Sequence, residues 1–291
     1  MTSEPAVDAI VLTMNDRPAE FAEAMASLLG QTGVRLNAVV VGNGCEPEGV
    51  PDGVRTVALP ENVGIPEGRN IGAEALSGGE FLFFFDNDAI LPTADTLARL
   101  IAELRRRPTA AYVQPRIADP VTGTTLGRWV PRLRGTDPER PGTVASMSEG
   151  IIVIRRADFE RAGGWPGHYF LFHEGLDLAW RLWNLGRTGW YAPDIVVHHP
   201  ATSPARHAAF HRLNARNRVW AAYRNLPAPL IPLYLGVWTP LTFARLRSGD
   251  AARASLTGFR EGLAARRTQT RRPITWRTAA RLTRAGRPPI I

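Results

Sequence analysis

Short apolar runs alternate with helical patterns through residues 7–113, and this alternation constrains the fold more than any other feature of the chain. Strands separated by helices pair in parallel, because each helix returns the chain to the same end of the sheet. The segment therefore predicts an α/β fold with a mostly parallel central sheet flanked by helices. The predicted strands are residues 7–13, 36–41, 54–58, 80–85 and 110–113. One predicted helix begins at residue 18, and two others cover residues 68–76 and 95–107.

The chain then becomes less regular before strand and helix patterns return. Residues 115–147 are rich in Pro, Gly, Arg and Thr, and they predict loops with at most one hairpin. Later elements complete a predicted domain over residues 1–200. They are strands at residues 150–154, 189–191 and 195–197, and helices at residues 157–162 and 176–185.

The composition changes after Pro200, which marks a predicted helical, arginine-rich extension over residues 201–291. Residues 205–224 predict a basic helix, and we expect the tail over residues 265–291 to be poorly ordered. Between them, residues 230–243 are apolar, but two prolines interrupt them and they are shorter than the roughly 20 residues that span a bilayer. This stretch either lies in a membrane interface, since arginines flank it, or packs as a helix on the first domain.

All 35 basic residues are arginine, and the net charge is +8. The codon bias of a GC-rich genome accounts for this better than nucleic-acid binding, since no zinc-binding or aromatic RNA-binding pattern is present. The basic excess concentrates after residue 200, which suggests an anionic membrane surface as a partner. Cys45 is the single cysteine, and no secretory signal is visible, so we expect a cytoplasmic protein. If it contacts the membrane, we expect it to bind the inner face as a peripheral protein.

Asp86 and Asp88 follow the predicted strand at residues 80–85, whose last three residues are phenylalanine. Ligands of open parallel sheets bind beyond the carboxyl ends of the strands. Two carboxylates placed there repel each other unless a cation lies between them, and Mg²⁺ or Mn²⁺ commonly bridges carboxylates and substrate phosphates. An acidic turn around Asn87 is the alternative, but the apolar strand favours a metal-diphosphate site.

Residues 60–72 contain glycines that permit tight backbone paths and a close ligand approach. Arg69 and Asn70 lie near a predicted helix start, where they could reach a diphosphate or a ribose. An ordinary loop is the alternative for this segment taken alone.

Glu174 precedes a helix in which Asp177 and Arg181 are one turn apart and can pair. Glu174 is then left to face a cleft, where it could act as a general base on an acceptor hydroxyl. Helix capping by Glu174 is the alternative. Further on, His198 and His199 end a predicted strand, where a histidine is either a metal ligand or a simple polar terminus.

Taken in order, these segments resemble family 2 glycosyltransferases of the GT-A fold over about residues 7–200. The matching signatures are the opening strand and its polar end, residues 62–64 and 69–72, the acidic motif at residues 86–88, and residues 163–165 followed by residues 174–181. The resemblance implies a donor-binding set of Thr13, Asn15, Arg17, Asn43, Asn62, Gly64, Arg69, Asn70 and Asp86. It implies Asp86, Asp88 and His198 as metal ligands, Glu174 as the catalytic base and Asp177 as the second candidate for that base.

Two positions depart from the family pattern. Gly42 stands where an aspartate usually binds the nucleotide base, so Asn43 is the candidate substitute and the donor nucleotide stays open. Gly175 stands where the base segment usually carries a second acidic residue.

The resemblance implies an inverting transferase that uses Mn²⁺ or Mg²⁺. It would move a hexose or deoxyhexose from a nucleotide-diphosphate sugar to a glycan or lipid-linked acceptor in cell-wall or surface glycan synthesis. A non-catalytic protein that binds nucleotide-sugars on the same fold is the alternative. A nucleotidyltransferase is disfavoured, because no glycine-rich triphosphate loop with a lysine is present.

Overall fold

The computed structural model describes residues 4–133, 137–203 and 209–291, and within them eight strands form one mixed sheet. The strands are β1 (Ala6–Thr13), β2 (Arg35–Gly42), β3 (Arg55–Ala58), β4 (Phe81–Phe85), β5 (Ala110–Ala118), β6 (Gly142–Val144), β7 (Ile151–Arg155) and β8 (Thr188–His198). Their order across the sheet is β3-β2-β1-β4-β7-β5-β8-β6. The predicted α/β class is confirmed.

Parallel pairing brings several strand ends to one edge of the sheet. β1 pairs in parallel with β2 and β4, whereas β7 runs antiparallel to β4 with Phe85 opposite Ile151. The carboxyl ends of β1, β2 and β4 and the amino end of β7 therefore lie together. We call this side, defined by Thr13, Gly42, Phe85 and Ile151, the carboxyl edge. It is where ligands of such sheets bind.

Helices cover both faces of the central strands. They are α1 (Pro18–Leu29), α2 (Ile65–Ala75), α3 (Thr96–Arg105), α4 (Arg156–Ala162) and α5 (Glu174–Asn184). Phe83 and Phe85 point into a core that includes side chains of α1 and α3, while Phe84 packs on the opposite face with residues of α2, α4 and α5. All five residues of β4 are buried, which explains why this strand has no polar alternation.

The described residues from 209 onwards are largely helical and pack on the sheet domain. Their helices are α6 (Phe210–Asn225), α7 (Leu230–Phe243), α8 (Gly249–Ala264) and α9 (Trp276–Arg284). The prediction of a poorly ordered tail is wrong for residues 276–284, because α9 buries Leu282 in a cluster with Trp183 of α5. Residues 205–208 of the predicted basic helix lie outside the described residues.

The apolar stretch at residues 230–243 is one helix despite its prolines. Pro232 falls in the first turn, where a missing N–H removes no helical hydrogen bond. Tyr234 is buried with its ring 5.9 Å from that of Trp180, so α7 packs on the domain by this side. Leu233, Leu241 and Phe243 on α7 stay exposed. Among the described residues, no helix is long and apolar enough to cross a membrane.

Two other segments differ from prediction. Residues 189–191 and 195–197 belong to one strand, β8, which pairs with β5 with a shift of register between Pro115 and Arg116. The segment predicted as loops contains the end of β5 and the short strand β6. Both differences arise because β5 and β8 continue past polar residues, which local composition does not foresee.

The loop before α5 has a strained backbone. Phe170, Phe172 and His173 have φ values of 68°, 73° and 69°, a region that is costly for residues with side chains. Asn217 of α6 is fully buried, and its Nδ2 lies 2.7–2.9 Å from three carbonyl oxygens of residues 169–172. The C-terminal helices therefore help to hold the start of α5 at the carboxyl edge.

Asn217→Ala is expected to lower the free energy of unfolding by about 2 kcal/mol, because it removes a buried side chain that donates to carbonyl groups of the loop before α5. Chemical denaturation measures this change. Thr283→Ala is the control, since the Thr283 hydroxyl donates to the Ala279 carbonyl of its own helix. An equal effect of the two substitutions would contradict the anchoring role.

Candidate active site

Asp86 and Asp88 stand at the carboxyl edge directly after β4, as the sequence predicted. Gly150, just before β7, lets the chain pass beside them, since a Cβ there would overlap the Asp86 carboxylate. Asp88 is 6% exposed. The antiparallel pairing of β4 with β7 thus closes one side of the acidic pair.

The structure brings His199 to the acidic pair, whereas the sequence analysis named the neighbouring His198. Nε2 of His199 lies 3.2 Å from Asp88 Oδ1 and 3.6 Å from Asp86 Oδ2. His198 ends β8, and its backbone exchanges 2.9 Å hydrogen bonds with Ile90. His199 lies just beyond β8, where its N–H donates to the Ala118 carbonyl of β5 at 2.9 Å, a long-range contact that the sequence does not report.

Cationic side chains surround the acidic pair. Arg17 donates a hydrogen bond to Asp88, and Arg69 Nη2 donates to Asp86 Oδ1 at 2.8 Å. Burial alone would raise the pKa of Asp86, but hydrogen bonding with His199 and the charge of Arg69 lower the pKa to about 2. Burial would lower the pKa of His199, but hydrogen bonds to both aspartates raise the pKa to about 10.

The residues present fit a divalent metal ion. Asp86, Asp88 and His199 each offer one ligand atom, and these three atoms lie within 4.8 Å of one another. Nδ1 of His199 lies 2.8 Å from the Pro200 carbonyl oxygen, a hydrogen bond that leaves Nε2 for a metal. Two carboxylates and an imidazole suit Mn²⁺ or Mg²⁺, and such an ion would compete with the His199 proton and with Arg17.

Five predicted donor-binding residues form the adjoining part of the carboxyl edge, after β1, after β2 and before α2. Thr13 Oγ1 accepts a 3.0 Å hydrogen bond from the Asn15 backbone N–H. Asn43 Oδ1 accepts from the Val63 N–H at 2.9 Å, and Asn62 Oδ1 accepts from the Gly64 N–H at 2.9 Å. These bonds shape the loops around the edge.

Gly64 must be glycine for two reasons. Its φ is +87°, and a Cβ there would lie 2.5 Å from the Phe170 backbone. Ile65 N–H also donates to the Phe170 carbonyl at 2.8 Å. The segment before α2 therefore contacts the strained loop before α5.

Arg69 and Asn70 take different positions. Arg69 is 4% exposed and faces the cleft, and its Nη1 has no hydrogen-bond partner among the described residues. Such a buried donor suits an anionic ligand. Asn70 instead bonds the Trp165 backbone through both amide atoms, at 2.9 and 3.0 Å, and so ties α2 to the segment before α5.

A cleft of about 380 Å³ opens beside the acidic pair. Arg69, Asp86 and His199 line one part of it, and Glu149 and Glu174 line another. Glu174 is 3% exposed, whereas Glu149 is half-buried. Burial and the charge of Glu149 raise the pKa of Glu174 to about 8, and burial raises the pKa of Glu149. The two carboxyl groups therefore do not both ionise easily.

Asp177 lies away from this cleft and is fully buried. Its Oδ1 accepts from Arg181 Nε at 2.7 Å, and its Oδ2 accepts from Arg224 Nε at 3.0 Å and Asn225 Nδ2 at 2.6 Å. These bonds, two of them from α6, give Asp177 a structural position between α5 and α6. The second candidate for the base is therefore not brought to the acidic pair.

Glu149 is a cleft residue that the sequence analysis missed. It lies between the segment predicted as loops, residues 115–147, and the predicted strand at residues 150–154, just before β7. Because β7 is antiparallel to β4, its amino end lies at the same edge as the carboxyl end of β4. A prediction that searches only the carboxyl ends of parallel strands overlooks such a residue. The signal available was the acidic residue at the start of an apolar strand.

Glu174→Gln is expected to flatten the dependence of stability on pH. The pKa of Glu174 in the folded state, about 8, exceeds the ordinary value of 4.5, so the folded state binds more protons between these pH values. The free energy of unfolding therefore falls as pH rises through this window. Above pH 8 the variant should therefore have a higher free energy of unfolding than the parent.

Urea denaturation at pH 4.5, 6.5 and 8.5 measures this difference. Glu20→Gln is the control, since Glu20 is exposed on α1. Parallel pH profiles for the parent and Glu174→Gln would contradict the assignment.

The family described as Glycosyl transferase family 2 matches this chain over residues 8–163. The chain is also 39% identical over 77 residues to N-acetylglucosaminyl-diphospho-decaprenol L-rhamnosyltransferase of Mycobacterium tuberculosis, strains CDC 1551 / Oshkosh and ATCC 25618 / H37Rv. That similarity spans 25% of this chain and 24% of the relative.

Three solved structures share the fold at low sequence identity. GalNAc-T7 with UDP, GalNAc and Mn²⁺ has a TM-score of 0.63 and 17% identity, over 90% of this chain and 55% of that chain. Mannosyltransferase PcManGT from Pyrobaculum calidifontis in complex with GDP-Man and Mn²⁺ has a TM-score of 0.57 and 21% identity, over 97% and 80%. S. aureus TarS has a TM-score of 0.60 and 17% identity, over 94% and 50%.

These structures establish the GT-A architecture. The family match covers more than half of the 291 residues and includes the acidic pair at the carboxyl edge. The chain belongs to glycosyltransferase family 2.

Proposed function

We propose that this protein transfers a sugar from a nucleotide-diphosphate donor to an acceptor hydroxyl, with a divalent ion and with inversion at the anomeric carbon. The observation that carries the proposal is the convergence of Asp86, Asp88 and His199 at the carboxyl edge, beside a cleft that also contains two carboxyl groups. One part of this arrangement suits a diphosphate and the other suits a hydroxyl that must lose a proton.

The acidic pair and His199 Nε2 would hold Mn²⁺ or Mg²⁺. A bound divalent ion would stabilise the negative charge that develops on the leaving diphosphate. Arg69 faces the same cleft with an unpartnered Nη1, which suits a phosphate oxygen. The loops that carry Thr13, Asn15, Asn43, Asn62 and Gly64 would receive the nucleoside portion of the donor.

The acceptor hydroxyl would enter the cleft at Glu149 and Glu174, where a carboxylate can take its proton as the oxygen attacks the anomeric carbon. One direct displacement inverts that carbon. The two carboxyl groups lie on adjoining segments, since the N–H of Gly175 donates to Glu149 Oε1 at 2.9 Å. Because the two carboxyl groups lie side by side, they suit one general base better than two carboxyl groups that act from opposite sides of a sugar ring.

Two observations support a proposal for the acceptor class: the name of a similar protein and the exposed side chains of α7. The similar protein of Mycobacterium tuberculosis is named for a diphospho-decaprenol acceptor and for L-rhamnose. The exposed Leu233, Leu241 and Phe243 on α7 are followed by the exposed Arg245 and Arg247. This combination suits the interface of an anionic membrane, so we propose a lipid-linked glycan acceptor in cell-wall synthesis and a deoxyhexose or hexose donor.

Asp88→Ala is expected to lower turnover at least about 100-fold, because charge stabilisation worth several kcal/mol is lost with the ion. It should also abolish the rise in melting temperature that Mn²⁺ produces together with a nucleoside diphosphate. Release of UDP, GDP or dTDP from a panel of nucleotide-sugars, with and without Mn²⁺, measures the first effect, and a thermal-shift assay measures the second.

Asp52→Ala serves as the control, since Asp52 is an exposed aspartate between β2 and β3. Turnover and Mn²⁺ response like those of the parent in Asp88→Ala would end the metal proposal. Nucleotide-sugar binding without any turnover by the parent would instead favour the non-catalytic binding protein.

Leu233→Ser, Leu241→Ser and Phe243→Ser combined should weaken binding to vesicles with anionic phospholipid at least about 10-fold. Full burial of a large apolar side chain contributes roughly 1.5–3 kcal/mol, and partial burial in a membrane interface contributes a fraction of that free energy. Vesicle flotation measures the effect. Val121→Ser, at a residue 90% exposed elsewhere on the surface, is the control. Equal flotation of all three proteins would refute the membrane contact.

A further inference from the structure

Position 175 is glycine, and the space beside it is filled by a side chain from another segment. A Cβ placed on Gly175 would lie 2.7 Å from both Cγ and Cδ of Glu149 and closer still to its Oε1. No real Cβ tolerates such distances, so Glu149 can hold its present position only while residue 175 has no side chain. The carboxylate of Glu149 thus stands where a side chain at position 175 would stand.

We propose that Glu149, placed by the gap at Gly175, is the general base that takes the proton from the acceptor hydroxyl. The inference rests on the proposed glycosyl transfer and names the base within that same site. It replaces Glu174 in the role that the sequence analysis gave it.

The surroundings of the two carboxyl groups support this choice. Glu149 Oε1 accepts the N–H of Gly175 in the first turn of α5, where free N–H groups and the helix dipole favour a negative charge. Glu174 is 3% exposed, and its Oε2 has no hydrogen-bond partner among the described residues. An unpaired buried carboxylate is unfavourable, so Glu174 suits the neutral form while Glu149 suits the charged form.

Access to the cleft points the same way. Glu149 is half-buried and lines the cleft together with Asp86 and Arg69. A base must meet the acceptor hydroxyl before the reaction and return its proton to solvent afterwards. Glu149, the more exposed of the two, meets both requirements better than Glu174, which lines the same cleft but is 3% exposed.

The step balances without a further reactant. The acceptor O–H proton passes to a carboxylate oxygen of Glu149, and the acceptor oxygen forms a bond to the anomeric carbon. The bond from that carbon to the diphosphate oxygen breaks, and its electron pair leaves with the nucleoside diphosphate. Glu149, now a carboxylic acid, then releases its proton to water in the cleft.

A merely structural role is the competing explanation, since Glu149 also caps the start of α5. Glu149→Gln separates the two roles, because the amide oxygen can still accept the Gly175 N–H but cannot take a proton. We expect kcat to fall about 10²–10⁴-fold, the usual contribution of a general base, with little change in the KM for the donor. Glu174→Gln should lower kcat far less.

Exchanging the two positions gives a stronger test. Glu149→Gly alone should be as impaired as Glu149→Gln, and Gly175→Asp alone should be impaired by overlap with Glu149. The double substitution Glu149→Gly with Gly175→Asp returns a carboxylate to the same space from α5, and we expect it to recover at least about 10-fold over Glu149→Gly.

Release of nucleoside diphosphate from UDP-, GDP- and dTDP-sugars with Mn²⁺ is measured for every variant, and thermal denaturation confirms folding. A parent that turns over none of these donors refutes the proposed function. If the parent is active and folded Glu149→Gln stays within about threefold of it, or if Glu174→Gln is the more impaired variant, only the assignment of Glu149 is refuted.

Discussion

The site depends on the compensation of like charges at the end of a fully buried strand. Asp86 and Asp88 follow β4 at the carboxyl edge, where water is partly excluded and two carboxylates repel each other. Arg17, Arg69 and His199 offset that repulsion in the structure described here. These side chains come from segments that are distant in sequence, so only the folded sheet brings their charges together. Fold and site are therefore linked through electrostatics as much as through packing.

The sheet domain was largely predictable because its signals are local. The apolar run that ends at Phe85 and the acidic residues after it identify both a central strand and its ligand edge. The order of the remaining strands was not predictable, because β7 inserts antiparallel between β4 and β5. That insertion is what places Glu149 in the cleft. No periodicity or spacing in the sequence reports such a pairing, which depends on long-range contacts.

The differences at single residues have similar causes. His199, rather than the predicted His198, lies beside the acidic pair, just beyond a strand whose pairing with β5 is a long-range contact. Asp177 was a reasonable candidate for a base by type and spacing. Its carboxylate is occupied by Arg181, Arg224 and Asn225, and the last two belong to α6, which the sequence did not connect with this segment. The order of α9 was missed because its arginines conceal a small apolar face.

The contact of α6 with the strained loop before α5 gives the two halves of the cleft different supports. The side with the acidic pair is held by the sheet and α2, whereas the side with Glu174 is held partly by Asn217 from the C-terminal helices. A displacement of α6 would therefore pass through the strained loop to the start of α5, where Glu174 stands, and to Gly64, which packs on Phe170. A mechanical load on the C-terminal helices would thus alter one wall of the cleft, while Asp86 and Asp88 keep the positions that the buried strand β4 gives them.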